Sequence, residues 1–365
     1  MASSSDYGWS GPIYMDAMTV HSGRAYGPST PGEDQPTSGL GDFSKILEQI
    51  RELGRETRID GGAGNDTIDA MGIDVYVNGG TGNDNISVMA FNADIKGGEG
   101  DDVIRTQSPY FNFFQAPLFY GPGNIFGNQG HDQIHARSLT NVHGGEGNDV
   151  INGHGGLVNV TGGSGDDTIN TGGGSARVFG EAGDDVISTG QYSYNVNGKL
   201  YGGAGDDTLN VSGRNMRVMG GTGNDTFNLD GLANGNGVYA PVNGGLGNDT
   251  LNFLNSFAQV EYFSGDGHDT MEGANELTTV KLGPGLDFEN TTFAIEGDDL
   301  VMSFANDDGS ITFKNYNTSG LPVVEFTGGR QLDASSTIAY AGGDPDAYQG
   351  SDGIANSTPA AKSSD

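Results

Sequence analysis

The sequence predicts an all-β chain: a parallel β-roll, or β-solenoid, of about eleven 18-residue coils with a short N-terminal helix and a C-terminal β cap. Three observations predict it. A nine-residue phrase, G-G-x-G-(N/D/H)-D-x-(aliphatic)-x, is written eleven times between Gly61 and Glu272. Its copies start 18, 18, 30, 17, 18, 18, 22, 18, 24 and 20 residues apart, so the basic period is 18, and a repeat of that period marks a solenoid. Two residues before the copies stand Ile59, Val77, Ile95, Ile125, Val142, Val160, Val178, Leu200, Val218, Val242 and Tyr262, a second inward column opposite the first. Two strands and two turns per 18 residues describe a flattened roll whose coils stack about 4.8 Å apart through ladder hydrogen bonds.

The phrase runs from GGAGNDTID at Gly61 through GGEGDDVIR at Gly97 and GGSGDDTIN at Gly162 to SGDGHDTME at Ser264. Glycines at positions one, two and four are expected to supply the positive φ of a tight turn whose carbonyls face an ion. Position five is always Asn, Asp or His, which we expect to tolerate the left-handed region. Position six is always aspartate: Asp66, Asp84, Asp102, Asp132, Asp149, Asp167, Asp185, Asp207, Asp225, Asp249 and Asp269. Position eight is always apolar, from Ile68, Ile86 and Ile104 to Leu251 and Met271. A carboxylate among carbonyls suits a hard cation, and a flexible all-oxygen cage favours calcium over magnesium. A solvated Gly-Asp linker would not hold an aliphatic in register eleven times.

Loops 18 residues apart fall on the same edge of a two-turn coil, so one edge is expected to bind calcium and the other not. The phrase is never lengthened, whereas the intervals between copies run from 8 to 21 residues, which puts every insertion on the metal-free side. Eleven turns enclose up to about ten ions, with Asn128, Glu181 and Ser264 replacing loop glycines. Each coil orders about 18 residues around only two inward aliphatics, a core too thin to offset the lost conformational entropy. Stacked carboxylates repel without a cation, so folding and calcium binding are expected to be one event, absent at submicromolar calcium.

These repeats resemble the RTX family, the haemolysin-type calcium-binding nonapeptide repeats of bacterial secreted proteins, over about residues 59 to 273. The resemblance implies a β-roll with ions between stacked turns, held by the position-six aspartates and backbone carbonyls. The stretch from Lys281, KLGPGLDFENTTFAIEGDDLVMSFANDDGSITFKNYN, is similar to the module that closes the repeats in many RTX proteins.

Residues 1–41, rich in Gly, Ser and Pro, read as a disordered N-terminal segment. Residues 42–58 read as an amphipathic helix, with Phe43, Ile46, Leu47, Ile50 and Leu53 on one stripe, capping the exposed first coil of the roll at 59–273. Residues 274–330 form the β cap, and 331–365 read as a disordered tail. The insertion at 106–126 gathers Tyr110, Phe111, Phe113, Phe114, Phe119, Tyr120 and Phe126 on the metal-free edge, either as a contact surface for a glycan or host partner or folded back on the roll's flank. In Asp344-Pro345 we read an ordinary turn dipeptide.

A net charge of −32 argues against nucleic acid and anionic membranes as partners. There is no cysteine and so no disulfide framework, and no apolar run reaches membrane-span length. The start MASSSDYGWSGPIYMDAMTV lacks a basic n-region and an apolar h-region, so we expect secretion without a Sec signal, by a type I or type III route. We expect no catalytic residues, because HExxH and GxSxG are both missing. The alternatives are a secreted enzyme of unrecognised, polysaccharide-acting type, or a harpin-like effector. His131 and His268 occupy position five, and His135 and His143 alternate outward, which leaves no ligand cluster. Position three carries no Thr array, which excludes ice binding through the loops.

Overall fold

The computed structural model describes residues 56–107, 123–137, 140–154, 159–172, 177–190, 198–212, 216–230, 241–254, 256 and 258–343. The chain divides into two compact units after Ala204. Residues 1–41, the insertion aromatics from Tyr110 to Tyr120 and Asp344-Pro345 lie outside the described residues.

In the first unit each coil supplies an approach strand that runs into the nonapeptide and an exit strand that leaves it. Approach strands include Glu56–Ala63, Gly123–Gln129, Thr140–Glu146, Asn159–Ser164, Arg177–Ala182 and Lys199–Ala204. Exit strands include Val103–Gln107, Gln133–Arg137, Val150–His154, Thr168–Thr171 and Val186–Thr189. Every pairing within a stack is parallel. Period-two alternation of β-branched residues gives each strand one buried face. In the second and third coils exit and approach strands fuse, as Thr67–Thr81 and Asn85–Glu99, and pair with each other past the corner opposite the nonapeptide loops. A nine-residue interval there turns the corner without leaving the ladder, where two separate turns were expected.

Register follows the repeat and not the sequence distance. Ile104 pairs with Ile134, and Asp94 with Asn124, across the longest insertion. The two inward columns are fully buried: Ile68, Ile86, Ile104, Ile134, Ile151, Ile169 and Ile187 on one side, and Ile95, Ile125, Val142, Val160, Val178 and Leu200 on the other. Ile59, in the first coil, is half-buried. The helix expected at 42–58 does not reach its predicted end, because 56–58 belong to the first strand, and residues 42–55 lie outside the described residues. Pairing of Glu56, Thr57 and Arg58 with Asp74, Val75 and Tyr76 outcompetes the helical stripe at that point.

The second unit repeats the arrangement. Exit strands Thr208–Ser212, Thr226–Asp230, Thr250–Phe253 and His268–Glu272 stack in parallel, as do approach strands Arg217–Thr222, Pro241–Leu246, Gln259–Tyr262 and Thr279–Leu282. A third inward position, two residues past position eight, carries Val211, Leu229 and Phe253, all buried. In the first unit the same position holds Val88 and otherwise small residues such as Ala70, Thr106, Ala136 and Thr171.

The C-terminal part of this unit continues both stacks by one more layer. Ser310–Lys314 pairs in parallel with His268–Glu272, and Val323–Glu325 with Thr279–Leu282. Chain direction then reverses: Thr291–Glu296, Asp299–Phe304 and Ser310–Lys314 form an antiparallel meander. The module does not stop at 330. Gln331–Leu332 pairs antiparallel with Val323–Glu325, and a helix spans Ala334–Tyr340 with Asp333 as its N-cap, accepting from the Ser336 amide at 2.8 Å. The expected disordered tail therefore begins too early. Leu332 and Ile338 are buried, and Tyr340 packs beside Phe288 and Phe293 so that the helix covers the outer strand of the meander.

Candidate metal centre

The eleven position-six aspartates are all buried, from Asp102 and Asp185 at 0% exposure to Asp66 at 8%. In each unit they form an axial row with one hydrogen-bond rule. The backbone N–H of each aspartate donates to Oδ1 of the aspartate one coil further on. In the first unit Asp66 donates to Asp84, Asp84 to Asp102, Asp102 to Asp132, Asp132 to Asp149, Asp149 to Asp167 and Asp167 to Asp185, at 2.7–2.8 Å. In the second unit Asp207 donates to Asp225, Asp225 to Asp249 and Asp249 to Asp269, at 2.8–3.0 Å.

One carboxylate oxygen is thus committed to the fold. In Asp84, Asp102, Asp132, Asp149, Asp167, Asp225 and Asp249 the other, Oδ2, is buried without a hydrogen-bond partner, as is Oδ2 of Asp66 at the head of the row. An orphaned carboxylate oxygen is costly to bury and calls for a positive partner. Position-one glycines form the cradle around it. A Cβ built on Gly79, Gly97, Gly127, Gly144, Gly162, Gly180 or Gly220 would strike Oδ2 of its own loop's aspartate and the carbonyl of position one in the next loop. The carboxylate oxygen and that carbonyl therefore converge on one small space that only glycine leaves open. Oxygen-only, partly backbone and repeated at every coil, this donor set fits calcium.

Burial pushes these carboxyls upward from the ordinary aspartate value. Asp102, Asp149 and Asp249 rise to about 6, Asp132 and Asp167 to about 7, and Asp225 and Asp269 to about 8. Loss of water is the largest cause; the donating backbone N–H pulls the other way, and in Asp132, Asp167, Asp225 and Asp269 the neighbouring aspartates add to the rise. A row that resists carrying its charge is one that a divalent ion would stabilise.

Glycine's role at position one differs from the expectation. Positive φ occurs at positions two and four, as in Gly80 (116°) and Gly82 (117°), while position one is required for space. Asn128 (83°) and Glu181 (84°) take the left-handed conformation at position two without being glycine. Position five also has another cause than the one expected, since none of its residues has positive φ. Its side chain accepts from the position-five N–H of the following coil: Asn65 from Asn83, Asn83 from Asp101, Asp101 from His131, Asn148 from Asp166 and Asp166 from Asp184. His131 joins the same rail, its Nδ1 accepting from the Asn148 amide at 2.7 Å. Asn, Asp and His share an acceptor at that reach, which is what the position selects. The position-five rail runs opposite to the position-six rail, so each loop is tied to both neighbours.

Ile311 is the register partner of Asp269, so an apolar side chain stands where the next aspartate of the row would be. Ser264, at position one of the last loop, donates to Asp307 Oδ2, which also accepts from Gly265 N at 3.0 Å. Among the described residues no three His, Asp or Glu side chains converge as a metal cluster, so backbone oxygens would complete each coordination sphere.

A family model described as the RTX calcium-binding nonapeptide repeat (4 copies) matches residues 58–72, 78–107, 141–157, 161–191 and 199–215. No curated protein matches the chain. Among solved structures it is similar to the extracellular lipase LipA from Serratia marcescens, at 18% identity and a TM-score of 0.26, over 59% of this chain. The match spans 42% of that lipase chain, less than half its length. Between residues 58 and 215 the chain carries RTX calcium-binding nonapeptide repeats, wound as a parallel β-roll.

Proposed function

We propose that the chain is a secreted, non-enzymatic calcium-binding protein whose coils fold when calcium enters one edge of the roll. The observation that carries this is the row of buried aspartates: Asp84, Asp102, Asp132, Asp149, Asp167, Asp225 and Asp249 each hold a neighbour's amide with one oxygen while the other lies unpartnered. In Asp66, at the head of the row, Oδ2 is likewise unpartnered. Asp185, Asp207 and Asp269 complete the set of eleven residues that would hold several ions, up to about ten. Calcium supplies positive charge to oxygens that burial has stripped of water. The chain's own residues do the rest: glycines at position one open the space, and the two side-chain rails fix coil to coil.

Secretion is supported by the repeat type, by extracellular calcium levels that match such sites, and by the lack of cysteine. The edge opposite the loops, where the spacing of the repeats puts the long insertions, is the proposed place for any surface or host contact. The test is a calcium titration followed by calorimetry and circular dichroism on metal-stripped protein. Several ions bound together with a gain of β-signal support the proposal. An unchanged β-spectrum in chelator and in calcium would sink the coupling.

A further inference from the structure

We propose that the outer face of the approach strands in the first four coils binds an uncharged polysaccharide, with neighbouring sugar units packed against Tyr76 and Phe126. A surface groove of about 560 Å³ opens there, lined among others by Arg58, Tyr76, Asn78, Asp94, Lys96 and Phe126. That volume lies within the range of small-ligand sites. The site is separate from the aspartate row and goes beyond the calcium reading.

Outward residues of the first unit are sorted by face. The described outward positions of the exit strands, such as Thr67, Asn85, Val103, Gln133, Val150 and Thr168, include no Phe, Tyr or Trp. The approach strands carry Tyr76, Phe126, Phe179 and Tyr201 outward. Strand register then sets the groove. Tyr76 neighbours Asp94 in the third coil, and Lys96 in that coil neighbours Phe126 in the fourth.

Both rings are backed on their far sides. The Arg58 guanidinium covers Tyr76 at 4.4 Å from the ring centroid, from the first coil. His143 stacks on Phe126 at 5.0 Å with planes 5° apart, from the fifth. The remaining faces look across the third coil, so two aromatic walls stand roughly 10 Å apart at two coil spacings. Offset by two residues along the strand, they suit successive units of one chain better than a single sandwiched ring. The apolar C–H faces of a sugar pack on such rings.

Polar groups along the groove are set for hydroxyls. Between the walls, Asp94 Oδ1 accepts from Asn124 at 2.7 Å, and beside Tyr76, in the first coil, Asp60 Oδ1 accepts from Asn78 at 3.0 Å, which fixes both carboxylates while leaving each a second oxygen. Lys96 is exposed and has no ion-pair or hydrogen-bond partner among the described residues. Arg58 and Lys96 balance Asp60 and Asp94, so the groove is neutral in a chain of net charge −32. A neutral lining with fixed donors and acceptors beside two rings recognises a polyol and gives a polyanion nothing in excess.

The test uses the full chain in calcium with cello-, xylo- and laminari-hexaose as uncharged probes and polygalacturonate as the acidic counterpart, read by calorimetry. We expect one or more uncharged probes to bind. Tyr76→Ala and Phe126→Ala should each weaken that binding about tenfold or more. Thr67→Ala on the other face should leave it unchanged, and the calcium-loaded circular dichroism spectrum should stay the same throughout. Asp94→Asn, which keeps the shape of the side chain, should weaken it several-fold and guards against misfolding of the ring variants. No binding of any uncharged probe, binding indifferent to these changes, or preference for polygalacturonate lost in Lys96→Ala would each overturn the proposal.

Discussion

Between Thr208 and Glu272 each coil of the second unit tucks in a few apolar side chains, such as Leu209 and Val218, and buries a carboxylate beside them. From Thr279 to Gly343 the same unit buries Leu300, Met302, Phe304, Ile311, Phe313, Leu321, Val324, Phe326, Leu332 and Ile338. The acids of the two regions respond oppositely. Asp225 and Asp269 in the coils are pushed up by burial. In the module, Asp299 is held below the ordinary aspartate range by its hydrogen bond from Lys314, at 2.6 Å, and Asp307 by the hydroxyl of Ser264. A carboxylate that has its own donors needs no ion; one that has lost water and gained a single amide is better served by one. On the proposed function, the module stands by its core and the coils wait for a cation.

Removing a carboxylate tests the coil side of this contrast most severely. Asp167→Ala strips the Asp149 amide of its buried acceptor, at a cost of about 1–3 kcal/mol, and removes a proposed ion ligand besides. It should lower calcium stoichiometry in calorimetry and shift the folding midpoint to higher calcium, whereas Asp167→Asn keeps an acceptor and should lose less. On the module side, Leu300→Ala should cost about 2–5 kcal/mol in denaturant titrations, and by the same amount in chelator as in calcium. A calcium-dependent cost there would break the comparison.

Acidity sharpens it further. In the metal-free coils the folded aspartates bind protons more tightly than the unfolded ones, whose value is about 3.9. Protonation therefore supports the coils below about pH 4, and that support is lost as pH rises through the shifted values of about 6 to 8. Metal-stripped protein should gain β-signal on acidification from pH 8 to pH 4.5, and calcium should bind more weakly at the acid end because protons compete for the same oxygens. Asp299 and Asp307 carry the opposite sign, so the module should weaken, not strengthen, as pH falls below about 4.

Gly144→Ala should weaken calcium binding several-fold with little penalty from backbone conformation, because position one lacks positive φ and the added methyl meets the Asp149 carboxylate. The smallest effect is expected from Glu181→Gly, which relieves a left-handed residue at φ 84° and should stabilise the folded protein by about 0.5–1 kcal/mol in thermal melts.

Much of the coil was legible because its rules repeat. Position-six aspartate and position-eight aliphatic recur at a fixed offset, so burial of Asp102 and Ile104 side by side follows from spacing. What escaped were contacts between residues about 18 apart in sequence. Gly79 looks like a turn glycine until Asp84 and the carbonyl of Gly97 are seen to occupy its side-chain space. His131 looks like a conformational choice until its ring accepts from Asn148. The third inward column was missed because Val211, Leu229 and Phe253 are matched in the first unit by Ala, Thr and Gly at every coil but that of Val88, which breaks the pattern. The module's last strand and helix were lost in a Ser-rich stretch where Asp333, spaced three from Ser336, was the available signal.

Hydrogen exchange on the full chain, in calcium and after metal stripping at pH 7.5, tests the central claim most directly. In calcium, amides of both regions should be protected. Without metal, the coil amides around Ile151, Ile169 and Leu251 should exchange freely while those around Met302, Phe313 and Val324 stay slow. Equal protection of the coils in both conditions would contradict the account.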